Sequence, residues 1–134
     1  MVTHDGVRPF LFGDVLARTI EAARECGAAV AAVPESDTVK EVTAEGIILG
    51  TVDRLRLWRV QTPQVFSYPV LREAFARALA DGYVATDEAE LVERNGHEVR
   101  VVPSSPWNIK VTTREDMGLA EFLLVRGLGE AGAP

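Results

Sequence analysis

The stretch Gly27-Ala28-Ala29-Val30-Ala31-Ala32-Val33-Pro34 decides the fold. An unbroken apolar run, bounded by glycine on one side and proline on the other, reads as a short buried strand. Immediately before it, residues 14–26 place Val15, Leu16, Ile20 and Ala23 on one helical face, with Gly27 as the C-terminal stop. Downstream, Val39 to Val52 alternates loosely around Ala44-Glu45-Gly46 and predicts a β-hairpin. Gln61 to Phe66 reads as an extended segment. It leads into a helix capped by Ser67, followed by Pro69, which packs Leu71, Phe75 and Leu79 and stops at Gly82. A shorter helix opens with Thr86-Asp87-Glu88 and ends at Gly96. Glu98 to Val102 predicts a strand with Val99 and Val101 on one face, and Trp107 to Thr112 predicts another. Thr113, with Asp116 three residues on, caps a last helix whose buried stripe is Leu119, Phe122 and Leu123. Met1 to His4 reads as the tail of a short strand, and Gly127 to Pro134 as a flexible tail. Strands alternating with helices give an α/β fold with a largely parallel sheet and one projecting hairpin.

The bulk composition fits one soluble domain. Of 134 residues, 47% are hydrophobic and 25% charged, and the longest apolar run falls far short of the ~20 residues that span a bilayer. No basic-then-apolar leader pattern is present, so neither a membrane nor export is expected. The single cysteine, Cys26, forms no disulfide within the chain, sits at a helix end and fits a reducing cytoplasm. A net charge of −6 argues against a nucleic-acid surface. Phosphate recognition survives that balance if several cations converge on one pocket.

Two polar clusters lie where strands are expected to end, the usual ligand position in open α/β sheets. In His4-Asp5-Gly6-Val7-Arg8-Pro9, a carboxylate beside a glycine with an arginine three residues on can hold Mg²⁺ and a phosphate together. The same residues also fit a plain turn closed by Asp5 with Arg8 paired to it. In Asn108-Ile109-Lys110-Val111-Thr112-Thr113, alternation sets Lys110 opposite Ile109 and Val111, next to a helix N-terminus that attracts anions. A solvated lysine is the alternative there. His4 and His97 fit structural or solvent-facing roles, and Trp58 and Trp107 fit packing in a core or an interface. No zinc-ligand spacing and no Gly-x-Ser-x-Gly elbow occurs.

Taken in order, His4-Asp5-Gly6-Val7-Arg8-Pro9-Phe10, Asp37-Thr38-Val39-Lys40, Thr51-Val52-Asp53-Arg54, Leu57-Trp58, Gln61-Thr62-Pro63-Gln64, Thr86-Asp87-Glu88-Ala89 and Asn108-Ile109-Lys110-Val111-Thr112 resemble successive motifs of the 2-C-methyl-D-erythritol 4-phosphate cytidylyltransferases. The resemblance runs from Thr3 to about Leu124. It implies a Rossmann-like nucleotidyltransferase sheet, present in part, with a β-hairpin arm at about residues 38–60 that serves dimerisation. It implies transfer of CMP from CTP to methylerythritol phosphate with release of pyrophosphate, an early step of non-mevalonate isoprenoid synthesis. By position, Asp5 matches the carboxylate that holds Mg²⁺ near the CTP phosphates, Arg8 a substrate-pocket residue, and Lys110 the lysine that binds the acceptor phosphate. Thr38, Arg54 and Thr62 match residues of the arm and its base, with Arg54 completing the site of the second subunit in a homodimer.

The family's opening strand and Gly-rich, cation-containing loop, which cradles the CTP triphosphate, has no counterpart in residues 1–134. Gly127 and Gly129 follow the last helix instead of opening one. The residues therefore read as the C-terminal part of one cytidylyltransferase domain. Two alternatives share most of the motifs: a ribitol-5-phosphate cytidylyltransferase, and a non-catalytic remnant that only dimerises or binds a phosphorylated ligand.

Overall fold

The computed structural model describes residues 1–128. At its centre lies the alanine-rich strand β2 (Ala28–Pro34), buried from Ala28 to Val33. Its side chains alternate between two faces. Ala28 and Val30 pack with Phe66, Leu71, Ala74 and Val92, while Ala31 packs with Phe10, Phe12, Val15 and Leu123. Helices α2 (Tyr68–Asp81) and α3 (Glu88–Arg94) cover the first face. Helices α1 (Gly13–Cys26) and α4 (Arg114–Val125) cover the second. Cys26 closes α1, and Gly27 turns the chain with a φ of +92°, which favours glycine.

The sheet runs β1 (Val2–Thr3), β5 (Trp58–Phe66), β2, β6 (Arg100–Pro103). It is mixed, which corrects the expectation of a largely parallel sheet. Only β2 and β6 run parallel; β5 is antiparallel to both β1 and β2. The physical reason lies in the connection. Parallel neighbours need a crossover, usually a helix, whereas β2 and β5 are joined by the hairpin and a single 3₁₀ turn at Arg54–Arg56. The Thr62–Pro63 peptide within β5 is cis.

The hairpin pairs β3 (Lys40–Val42) with β4 (Ile48–Thr51) as a sheet of its own. Its turn is closed by the Thr43 amide donating to the Ile47 carbonyl at 2.9 Å. Val42, Ile47, Ile48 and Leu49 are all exposed along it.

Several local expectations are revised. Helix α2 starts after Ser67 and stops at Gly82, but its buried residues are Leu71, Ala74 and Ala78, while Phe75 and Leu79 face outward. In α4 the buried residues are Ala120 and Leu123, and Leu119 and Phe122 are exposed. Close approach of helices to a sheet lined with alanine selects small side chains for the contact, and a stripe chosen by side-chain size misses them. Of Thr86, Asp87 and Glu88, Asp87 is the cap of α3: its Oδ1 accepts the Glu90 amide at 2.9 Å. In β6 Val102 is buried and Val101 exposed. Residues 107–112 form no strand; the Val111 amide ties them to the Val7 carbonyl at 2.8 Å. His97 is half-buried, not solvent-facing. Leu128 packs beside Phe10 and Leu123, and the rest of the expected tail lies outside the described residues. No described helix is long and apolar enough to cross a membrane.

Candidate active site

Asp5 leaves the end of β1 in a tight turn, closed by the Arg8 amide donating to the Asp5 carbonyl at 3.0 Å. Asp5 Oδ2 then receives two cations: Arg8 Nε at 3.3 Å and Lys110 Nζ at 3.2 Å. The turn closed by Asp5 and the convergence of cations are thus one arrangement. Burial works to raise the Asp5 carboxyl, but Lys110 and Arg8 together hold it below the ordinary aspartate range. The Asp5 amide donates to Thr62 Oγ1 at 3.0 Å, and the Thr62 hydroxyl also meets His4 Nδ1 at 2.9 Å. The other ring nitrogen of His4 faces the Arg8 carbonyl at 3.1 Å, so His4 braces the turn from within.

Lys110 is positioned by a loop with no regular secondary structure, and one buried side chain explains how. Asn108, 1% exposed, donates from Nδ2 to the Thr62 carbonyl at 2.7 Å and to Gln61 Oε1 at 3.2 Å. Gln61 Nε2 passes the chain on to the Ser105 carbonyl at 3.2 Å. The Asn108 carbonyl accepts Arg8 Nη1 at 2.6 Å. The amide of one asparagine therefore pins the Lys110 loop to β5, and its backbone aims Arg8.

Asp5, Arg8, Thr62 and Lys110 line a cleft of about 240 Å³ together with Gln64, Asp87 and Glu88. Asp87 Oδ2 accepts Gln64 Nε2 at 3.0 Å, which docks the start of α3 against β5. Glu90 fixes the neighbouring corner by accepting the Thr86 amide at 2.7 Å, the Thr86 hydroxyl at 2.8 Å and the Tyr83 hydroxyl. Those donors, the Thr86 amide first, pull its carboxyl down to about 2.

The structure brings Asp5, Arg8, Thr62 and Lys110 together. Thr38 and Arg54 lie exposed on the arm and its base; Arg54 donates to the Ser36 carbonyl and does not line the cleft of its own chain. The expected anion site at the start of α4 is already occupied by the helix's own residues. Asp116 Oδ2 accepts the Thr112 and Thr113 amides at 2.9 Å each, and Thr113 Oγ1 accepts the Asp116 amide at 3.2 Å, a complete capping box. Sequence reasoning gave no site role to Gln61, Gln64 or Asn108, and read Asp87 only as an acid at the start of a helix. The signal available was the burial expected for amides flanking a Thr-Pro within a strand.

Comparison with known proteins bears on the family and the fold. The profile of the 2-C-methyl-D-erythritol 4-phosphate cytidylyltransferase family matches residues 1–126. The chain is 52% identical over 129 residues to the protein of that name from Syntrophus aciditrophicus, covering 96% of this chain and 55% of the relative. It is 50% identical over 124 residues to that of Symbiobacterium thermophilum, covering 92% and 52%. The crystal structure of the enzyme from Thermus thermophilus superposes with a TM-score of 0.84 at 39% identity, over 92% of this chain and 61% of that one. The synthase from Anaerococcus prevotii gives 0.85 at 35% identity, over 93% and 58%. The chain spans about half the length of the curated relatives it matches. On matched profile, identity and fold alike, the chain belongs to the 2-C-methyl-D-erythritol 4-phosphate cytidylyltransferase family.

Proposed function

We propose that this chain supplies the acceptor side of an active site that transfers CMP from CTP to 2-C-methyl-D-erythritol 4-phosphate and releases pyrophosphate. The observation that carries the reading is the meeting of Lys110 and Arg8 on Asp5 Oδ2 beside the Thr62 hydroxyl, within one cleft. In this reaction an oxygen of the acceptor phosphate attacks the α-phosphorus of CTP, the new P–O bond forms, and the bond to the departing pyrophosphate breaks. No side chain need bond covalently to the substrate, so the protein's work is to place two anions together and offset the charge that develops. Lys110 exchanges its ion pair with Asp5 for the acceptor phosphate and holds the attacking oxygen in line. Arg8, fixed by Asn108, keeps its guanidinium at the rim of the same cleft.

Asp5 also fits as a ligand of Mg²⁺. Among the described residues no group of three or more His, Cys, Asp or Glu converges, which rules out an all-protein cage but suits an ion that takes one carboxylate and completes its shell with water and phosphate. Bound there, the ion would neutralise charge on the CTP phosphates.

The arm reads as a contact to a second copy of the chain. A two-stranded ribbon is marginal alone, and this one leaves Val42, Ile47, Ile48 and Leu49 uncovered. Arg54 at its base then reaches the neighbouring subunit's cleft.

Pyrophosphate release from CTP and methylerythritol phosphate tests the reading, in a protein of the relatives' full length that carries this chain. Lys110→Ala and Arg54→Ala should each lower turnover on the order of 10²–10³-fold, the usual effect of losing one transition-state donor. Mixing the two variants should restore part of the activity through hybrid dimers. Near-parental rates in both overturn the assigned roles, and a mixture no better than its components removes the cross-subunit role of Arg54.

A further inference from the structure

The arm departs from the sheet at Pro34 and returns at Trp58, which pair with each other at the end of β2 and β5. A hinge is expected at such a place, because the β2–β5 ladder ends there and the hairpin forms a sheet of its own. One side chain stands at this junction. Glu35 is exposed by only 14%, while its partner Arg59 is exposed by 58%. Its Oε1 accepts the Ser36 amide at 2.8 Å and the Asp37 amide at 2.9 Å, both on the segment that leads out to the arm. Its Oε2 faces Arg59 Nε at 3.6 Å, on the returning strand. Its own amide donates to the Leu57 carbonyl at 2.9 Å, again on the return. Arg54 donates to the Ser36 carbonyl, so the residue held at its N–H by Glu35 is held at its carbonyl by Arg54. The Asp37 amide foremost, with the Ser36 amide and the Arg59 and Arg54 charges, holds the Glu35 carboxyl below the ordinary glutamate range despite the opposing effect of burial.

We propose that Glu35 is a positioning residue that sets the direction in which the arm leaves the sheet, by joining the outgoing root at Ser36 and Asp37 to the returning root at Arg59 on a single carboxylate. Thr38 lies one residue beyond the clamped amides, and Arg54 bonds to one of the clamped residues. Both therefore lie within reach of the clamp, in addition to the ladder bond from the Val52 amide to the Val39 carbonyl at 3.0 Å that begins the hairpin beside Thr38. The clamp has two separable halves. Backbone amides need only an acceptor oxygen, whereas Arg59 needs the charge. Arg59 also borders a cleft of about 360 Å³ shared with Arg8 and Lys110, so the clamp holds one wall of the neighbourhood in which the acceptor-side cations sit. Any effect of the clamp on turnover rests on the reading that the arm serves the second subunit; its effect on arm direction does not.

Residual dipolar couplings of backbone amides test the clamp at a concentration where light scattering shows a monomer, so that no second copy holds the arm, with β2 and β5 as an internal reference for the body of the protein. In the parent, the amides of Lys40–Val42 and Ile48–Thr51 should fit the same alignment as the sheet. Glu35→Ala should leave the sheet couplings unchanged and collapse those of the arm toward zero. Glu35→Gln, which keeps the acceptor and loses the charge, should show a partial loss matched by Arg59→Ala. The double variant Glu35→Gln, Arg59→Ala should be no worse than either alone. Arm couplings in Glu35→Ala that still fit the sheet's alignment overturn the proposal, as does a double variant whose losses simply add. Turnover separates the clamp from the function it rests on. A loosened arm with unchanged kcat leaves the clamp standing and removes the arm's role in the reaction.

Discussion

Truncating Asn108 to alanine asks how much of the acceptor side is held by a single buried amide. The substitution strands Gln61 Oε1 and the Thr62 carbonyl, both on residues that are almost fully buried. Each buried acceptor left without a donor costs about 1–3 kcal/mol. Part of this is returned, because Asn108 Oδ1 has no hydrogen-bond partner of its own and disappears with the side chain. The net loss is about 2–4 kcal/mol, a large share of the ~5–15 kcal/mol that holds a typical domain together. Urea unfolding followed by the fluorescence of Trp58 and Trp107, the latter next to the substituted residue, reads this. With a slope of about 2 kcal/mol per molar, the midpoint should fall by about 1–2 M with the slope unchanged. Asn108→Asp should be at least as damaging, because it replaces two donated hydrogen bonds with facing acceptors. A midpoint shift in Asn108→Ala below about 0.3 M, at constant slope, would refute the reasoning, since it would mean that the loop keeps its place without those two bonds.

Two further outcomes are expected. The folded-state carboxyl of Asp5 lies below its ordinary value of 3.8, so its contribution to stability is fully present above that value and fades as pH falls through the lower folded value. The stability gap between the parent and Asp5→Asn should therefore be constant at neutral pH and narrow in acid; a gap that stays constant down to pH about 2–3 would dismiss the ion pairs as its source. Thr113→Ala should cost about 1 kcal/mol by opening the capping box of α4, with Thr113→Ser recovering most of it, and equal midpoints for the alanine and serine variants would show the cap to be idle.

The sequence made some elements legible because one physical requirement dominated each. Ala28–Val33 has no polar face to offer solvent, so two-sided burial followed. Gly82 and Thr113 mark helix ends through local backbone chemistry and stand where they were expected, whereas Ser67 stands at the N-cap position of α2 without a side-chain capping bond. The strand direction of β5 was less accessible, though a clue existed: no helical pattern separates Pro34 from Trp58, so a parallel crossover had nothing to cross with. The outward turn of Phe75, Leu79, Leu119 and Phe122 could not be read from periodicity, because alanines at neighbouring positions fit the same helical faces and only the sheet's surface decides between them. At the candidate site, Asp5, Arg8, Thr62 and Lys110 were visible as charge and motif. Asn108 and Gln61 were not assigned, since their role exists only once residues 46 or 47 positions apart in sequence are neighbours. The Trp107–Thr112 segment misled for the same reason: its amides bond to Ser105 Oγ, the Ser105 and Val7 carbonyls and Asp116 Oδ2 in place of a strand ladder.

The sharing of Asp5 Oδ2 between Arg8 and Lys110 has a consequence for selectivity. An arriving anion does not find a vacant pair of cations; it must unseat a tenant that is covalently part of the chain and present at high local concentration. A ligand with a single negative charge offers Lys110 little more than Asp5 already does, so its gain on entering is small. A dianionic phosphate offers more charge and more acceptor oxygens than one carboxylate can, and it alone recovers the cost of eviction. On the proposed function, the resident carboxylate would therefore act as a threshold, favouring phosphate monoesters over singly charged carboxylic acids before any feature of the sugar is inspected.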